Sequence, residues 1–145
     1  MKIVLQRVIE AEVAVNSQII GSINKGLLLF LGITASDNKE KVKILADKIC
    51  KLRIFPDADG KSNLSVSDIE GEVLIVSQFT LYADIRKGNR PGFTDAAPPE
   101  LAEGLYEYFI EYSKSKFKKV AAGSFGADMK VKLINDGPYT VILET

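Results

Sequence analysis

The 145-residue chain contains no histidine and a single cysteine, Cys50. The missing histidines exclude a Ser-His-Asp or Cys-His nucleophile, a histidine general base and a His-ligated zinc. One cysteine cannot form an intrachain disulfide, nor can it build a thiolate metal cluster. Its place in a helical stretch beside Ile49 suits a small buried hydrophobe better than a nucleophile. No apolar run approaches the roughly 20 residues of a membrane span. The longest, Leu27–Ile33, is far shorter, and Gln6 and Arg7 break the hydrophobic start without a signal-peptide cleavage pattern. These features predict a cytoplasmic protein with no membrane segment. There is no excess of either charge, with 19 basic and 19 acidic residues. Nucleic-acid binding would therefore have to rest on local patches. Neither G-x-x-x-x-G-K nor G-x-G-x-x-G occurs, so nucleotide-cofactor folds have no support.

What is present reads as one α+β domain over residues 1–145, with a curved, barrel-like sheet and two main helices. Met1–Ile9 reads as a strand, and a short hairpin is predicted around Asn16-Ser17. Gly26–Gly32 reads as a buried strand. Asp37 with Glu40 three residues on has the form of a capping box. The helix behind it buries Val42, Leu45, Ala46 and Ile49 at helical spacing, with Lys39, Lys41, Lys43, Asp47 and Lys48 solvated. Arg53–Phe55 is a short strand. P-D-A-D-G-K at 56–61 lacks the later ligands of a calcium loop and reads as a turn. Ser62–Ile69 reads as a loop and edge segment beside the central strand. A second helix starts at Pro99, with Leu101, Leu105, Tyr108, Phe109 and Tyr112 as its apolar face and Gly104 as a point of close packing. A strand around Val120–Ala122 and two more, Met129–Asn135 and Tyr139–Glu144, complete the sheet.

The chemistry is expected at two stretches. In E-V-L-I-V-S-Q-F-T-L (72–81), an unbroken apolar run suits a strand covered on both faces. It ends in Ser77, Gln78 and Thr80, whose burial would be costly without partners. Such a strand end is either an internally satisfied network or the floor of a site. N-D-G-P-Y-T (135–140) lies between two alternating segments and reads as a turn. X-Pro is the one peptide class in which cis is cheap.

S-Q-F-T-L and N-D-G-P-x-T together resemble the D-aminoacyl-tRNA deacylases (D-tyrosyl-tRNA deacylases). M-K-I-V-L-Q-R-V, G-N-R-P-G-F (88–93) and G-S-F-G-A-D-M (123–129) extend the resemblance over nearly the whole chain. It implies hydrolysis of the ester between a D-amino acid and the tRNA 3′ end, as chirality proofreading, without metal or cofactor. The implied catalytic segment is Ser77, Gln78, Phe79 and Thr80. Backbone amides near Phe79 and Thr80 are the candidate oxyanion donors. Thr80 as nucleophile is the weaker reading, because a threonine hydroxyl needs a base; the ribose 2′-OH is the alternative activator of water. Gly137 and Pro138 match a Gly-cisPro wall that rejects L side chains from the partner subunit's site. That implies a homodimer with cross-subunit sites, and hydrolysis of glycyl-tRNA mischarged on tRNA-Ala. Arg7 matches an arginine bracing the dipeptide; Phe125 and Met129 match pocket-lining positions. Tyr139 and Gly92 depart from the family's pattern, which has a smaller apolar residue and a serine there. Arg86, Lys87 and Arg90 are candidate tRNA contacts. Two rival readings are a non-catalytic RNA-binding module and an editing domain like that of some threonyl-tRNA synthetases. The first leaves the Gly-Pro segment unexplained; the lack of a synthetase portion weighs against the second.

Overall fold

The computed structural model describes residues 1–86 and 88–145. Its spine is one long strand, β1 (Lys2–Val15), which pairs antiparallel with β2 (Gln18–Ile23), β3 (Gly26–Gly32) and β8 (Met129–Glu144). Beyond β3 the sheet continues in parallel through β6 (Glu72–Ser77) to β7 (Lys119–Ala122). A separate two-stranded ribbon joins β4 (Phe55–Pro56) to β5 (Ser62–Leu64). Helices α1 (Lys39–Cys50) and α2 (Pro99–Lys114) pack together against the sheet. The sheet curls until its two ends, β2 and β7, nearly meet. A Cβ added to Gly21 would lie 2.9 Å from the Ala122 carbonyl oxygen, so this approach needs glycine. Asn16 and Ser17, with φ of 50° and 64°, form the tight turn between β1 and β2, the left-handed pair that primed hairpin turns require.

β6 carries buried side chains on both faces. Val73 and Ile75 join the large core under the helices, whereas Leu74 and Val76 join a second cluster with Val8, Val13 and Leu28 inside the curl. β1 serves both cores by changing face. Ile3 and Leu5 point to the helices; after register shifts around Arg7–Glu10, Ala11 and Val13 point inward. Thus the expected strand Met1–Ile9 and the first arm of the hairpin around Asn16-Ser17 are one strand. Likewise Met129–Asn135 and Tyr139–Glu144 are parts of the single β8, and Asp136–Tyr139 is a bulge opposite Arg7 rather than a turn between strands. The segment Ser62–Leu64 pairs with β4 and not with the central strand.

Local details also differ from expectation. The N-cap of α1 is Asn38, whose side chain accepts from the Glu40 and Lys41 N–H groups. Asp37 is instead buried, accepting from the Met1 ammonium at 2.6 Å, Lys41 Nζ at 3.0 Å and the Thr34 N–H at 2.9 Å. Burial pushes its carboxyl upward, but these bonds outweigh it and hold the group below the usual carboxylate range. Lys41 and Asp47 are accordingly half-buried and paired, Asp47 with Lys116. In α2 the buried face is Leu105, Tyr106, Phe109 and Ser113, while Leu101 is exposed. Gly104 faces open space, so it provides no close packing. Cys50 is half-buried, with its Sγ 3.0 Å from Ser67 Oγ. Among the described residues no helix is long and apolar enough to cross a membrane.

Candidate active site

At the carboxyl ends of β3 and β6 the chain leaves a cavity of about 370 Å³. Its floor is Leu31, Ile33 and Ser77. β6 ends at Ser77, because Phe79–Tyr82 turns into one turn of 3₁₀ helix. Gly32 permits that turn to lie against β3: a Cβ there would sit 3.0 Å from Leu81 Cβ and 3.2 Å from the Gln78 carbonyl oxygen. The Gln78 N–H donates to the Leu31 carbonyl at 2.8 Å, fixing the bend. Phe79 and Phe93 meet edge to face, with centroids 5.0 Å apart, at the rim. Ala96 and Ala97 form a second wall, held because the Ala97 N–H donates to the Ile33 carbonyl and Thr34 Oγ1 to the Asp95 carbonyl. Pro99 and Ala102 of α2, with Phe125 and Gly126, close the remaining side.

Every described residue lining this cavity is apolar or an uncharged Ser, Gln or Gly; none of these titrates. The polar groups at hand are Ser77, Gln78 and the backbone. The Phe79 and Thr80 amides open the 3₁₀ turn, so neither has an intrahelical acceptor. Gln78 Nε2 donates to Thr80 Oγ1 at 2.5 Å. Thr80 is exposed and lies outside the lining. Among the described residues no group of three or more His, Cys, Asp or Glu side chains is placed to hold a metal.

The structure brings Ser77, Gln78, Phe79 and Phe125 into one cavity. It does not bring Met129 there, which packs with the core inside the curl. Gly137 and Pro138 are exposed and joined by a cis peptide bond. Their bulge lies opposite Arg7, which pairs with Leu27, four residues back along β3 from Leu31. That is ~13 Å along the strand, with further strands between, so it lies away from this chain's own cavity.

Arg7, 7% exposed, is bound at the bulge. Nε donates to the Asp136 carbonyl and faces the Asp136 carboxylate at 3.0 Å; Nη2 donates to the Gly137 carbonyl at 2.9 Å; Nη1 donates to the Ile54 carbonyl. Its guanidinium lies 4.7 Å from the Tyr139 ring centroid, and the Tyr139 hydroxyl bonds to Ser62. The larger side chain at 139 thus extends the arginine's setting instead of entering the cavity. Asn135 Nδ2 donates to the carbonyls of Arg7 and Tyr139, fastening both ends of the bulge.

In the basic loop, Arg86 forms a two-pronged pair with Asp84, at 2.8 and 2.9 Å. This pair holds the Asp84 carboxyl down at about 2. Asp84 and Gly92 exchange two backbone hydrogen bonds, so Gly92 acts through its main chain. Arg90 is exposed; Lys87 lies outside the described residues. The lysines Lys114, Lys116, Lys118 and Lys119 each face a carboxylate.

Phe93, Ala96, Ala97, Pro99 and Ala102 were not expected in the cavity. Phe93, Ala96 and Ala97 lie in an aperiodic segment, which does not show which side chains turn inward, and Pro99 and Ala102 of α2 fall outside the apolar face expected for that helix.

Residues 4–144 match the model of the D-Tyr-tRNA(Tyr) deacylase family. The chain is 55% identical over its whole length to a D-aminoacyl-tRNA deacylase of Dictyoglomus turgidum, covering 93% of that protein. It is 54% identical to one of Thermotoga petrophila, again over its whole length, covering 97% of that protein. Among solved structures, c-Myc DNA Unwinding Element Binding Protein is similar at TM-score 0.94 and 42% identity, over 100% of this chain and 99% of that one. A probable eukaryotic D-amino acid tRNA deacylase shares the fold at TM-score 0.87 and 15% identity, over 98% of this chain and 97% of that one. The barrel-like α+β fold is thus shared with both solved structures. The chain belongs to the D-Tyr-tRNA(Tyr) deacylase family.

Proposed function

We infer that the protein is a D-aminoacyl-tRNA deacylase, a hydrolase of the ester joining a D-amino acid to the 3′ end of tRNA. The observation that carries the mechanism is that no described residue lining the cavity has a titratable side chain, beside a 3₁₀ turn whose first amides have no intrahelical acceptor. An aminoacyl ester is already labile, so placing water and stabilising an oxyanion suffice. Water adds to the ester carbonyl carbon, and the Phe79 and Thr80 amides donate to the oxygen that gains charge. The tetrahedral species then expels the ribose oxygen, which takes up a proton, leaving free amino acid and tRNA. The terminal ribose 2′-OH directs the water, since the described lining side chains offer hydrogen-bonding groups but no ionisable base. Phe125 packs the aminoacyl-adenosine end; Met129 has no part in this reading.

The cavity of one chain offers little to hold an α-ammonium group. Gly137 and Pro138 lie too far along the sheet to enter it, so we assign them to a second copy's site. In that homodimer the bulge, braced by Arg7, forms a wall against L side chains. The exposed Ile9, Ile134 and Ile142 on β1 and β8 supply apolar surface for such a contact. Arg86, Lys87 and Arg90 are assigned as contacts to tRNA phosphates, with Arg86 partly neutralised by Asp84. Acting on aminoacyl-tRNA places the protein in the cytoplasm.

The test is deacylation of D-tyrosyl-, L-tyrosyl- and glycyl-tRNA. A filter that rejects L side chains has no means of excluding glycine, so D-tyrosyl- and glycyl-tRNA are hydrolysed and L-tyrosyl-tRNA is not. Inert glycyl-tRNA would show that the pocket grips the D side chain; hydrolysis of none would remove the activity.

A further inference from the structure

Tyr106 lies on the second turn of α2 and is 2% exposed, yet the reaction as described does not use its hydroxyl. That hydroxyl stands 2.9 Å from the Ile75 carbonyl oxygen and 2.9 Å from the Gly123 carbonyl oxygen. It has one proton, shared between two acceptors. Both acceptors occupy a particular place in the fold. The parallel ladder of β6 and β7 has its last pair at Ile75 and Ala122, and the Gly123 N–H then donates to Ile75 at 2.9 Å. Beyond this point the two chains separate. One runs through Ser77 to Phe79, the other through Ser124 to Phe125 and Gly126, and the cavity opens between them. The Tyr106 ring also packs on Phe125, with centroids 5.9 Å apart.

We propose that Tyr106 is a positioning residue for ester hydrolysis: its hydroxyl pins the fork between β6 and β7 and so sets the distance between the Ser77–Phe79 wall and the Phe125 wall. This rests on the deacylase reading of the cavity. Tyr106 does not touch the reacting atoms. Burial pushes its phenol up to about 12, so it remains a donor across the working range and adds no inflection to a pH profile. A phenylalanine would keep the packing and lose only the pin. A purely space-filling Tyr106 would let the same change lower stability without altering how substrate is held.

The test is Tyr106→Phe, measured as KM and kcat on D-tyrosyl-tRNA and as amide hydrogen exchange without substrate. We expect KM to rise about tenfold, the size of one lost hydrogen bond, with kcat within about twofold. Exchange should quicken in residues 123–128 and 77–81 and stay unchanged in β1 and α1. In a Phe125→Leu background, where that wall is already altered, the added KM effect should fall below about twofold. An unchanged KM, or a tenfold effect that persists in full in that background, would overturn the proposal. So would unchanged exchange at the fork, whatever the kinetics. Inactive wild type would refute the deacylase reading separately, while the exchange comparison would still decide the role of Tyr106.

Discussion

Along β3, the Leu31 end and the Leu27 end differ in what they are made of. At Leu31 the chain builds a cavity with no ionisable group among its described lining residues, bounded by aromatic rings, alanines and main chain. At Leu27 it buries a guanidinium and gives it three carbonyl oxygens and a carboxylate. The guanidinium's partners are the Asp136 and Gly137 carbonyls and the Asp136 carboxylate of the β8 bulge, together with the Ile54 carbonyl. Here charge fixes backbone shape, whereas the cavity is shaped by packing and short backbone bonds. A cavity of that kind favours a reaction needing placement and oriented dipoles over one needing proton transfer by a side chain.

The largest expected effect lies at the charged end. Arg7→Ala leaves the buried Ile54 carbonyl and the Asp136 and Gly137 carbonyls without their donor and Asp136 without its cation, and should destabilise the fold by about 3 kcal/mol in urea unfolding. Deacylation should fall with it as the bulge loses its brace. Arg7→Lys should recover only part of the loss, because one ammonium cannot span the acceptors that the planar fork reaches. Full stability in Arg7→Ala would mean that Asn135 alone holds the bulge.

Dependence on pH separates the two ends next. Asp84 is held at about 2, below its unfolded value near 4. Its contribution to closing the 84–92 loop is therefore present above about pH 4 and fades as pH falls toward 2. Tyr82 and Tyr106 are pushed up to about 12, chiefly by burial. With none of these titrating between about pH 5 and 9, kcat/KM should show no enzyme inflection in that window, apart from one set by the substrate's own α-amine. An inflection that moves when the enzyme, and not the aminoacyl group, is changed would break the contrast.

The smallest effect is expected at Thr80. Its hydroxyl accepts from Gln78 and lies outside the cavity lining, so Thr80→Ala should retain activity within about tenfold. Removing a covalent nucleophile costs several orders of magnitude. Trapping of an acylated Thr80 would contradict the assignment directly.

Elements decided by local pattern were legible in the sequence. The apolar run Val73–Val76 demanded cover on both faces and has it; Val42, Leu45, Ala46 and Ile49 share one buried face of α1. What local pattern could not show depends on partners far along the chain. Asp37 looked like part of a cap because its neighbours fit one, but the Met1 ammonium lies against it across 36 residues. Gly137-Pro138 looked like a turn because the dipeptide usually is one; it is a bulge because β8 pairs with β1 on both sides of Arg7, Asn135 with Val8 and Thr140 with Gln6. Tyr106 was missed because Tyr108 and Tyr112 fitted the same apolar spacing, and the carbonyls that draw residue 106 inward belong to other strands. The Ser77–Thr80 polar cluster was visible, while its 3₁₀ turn depends on Gly32 in a neighbouring strand.

The central claim is that the cavity contributes shape and backbone donors while the RNA contributes the group that directs water. Its most direct test is hydrolysis of D-tyrosyl-tRNA ending in adenosine against the same tRNA ending in 2′-deoxyadenosine, both esterified at the 3′ oxygen. The account predicts that the deoxy substrate binds with similar affinity and is hydrolysed at least about a hundredfold more slowly, the low end of what a positioned proton-transfer group contributes. Equal rates for the two would contradict it and require a protein group to do the work assigned to the 2′-OH.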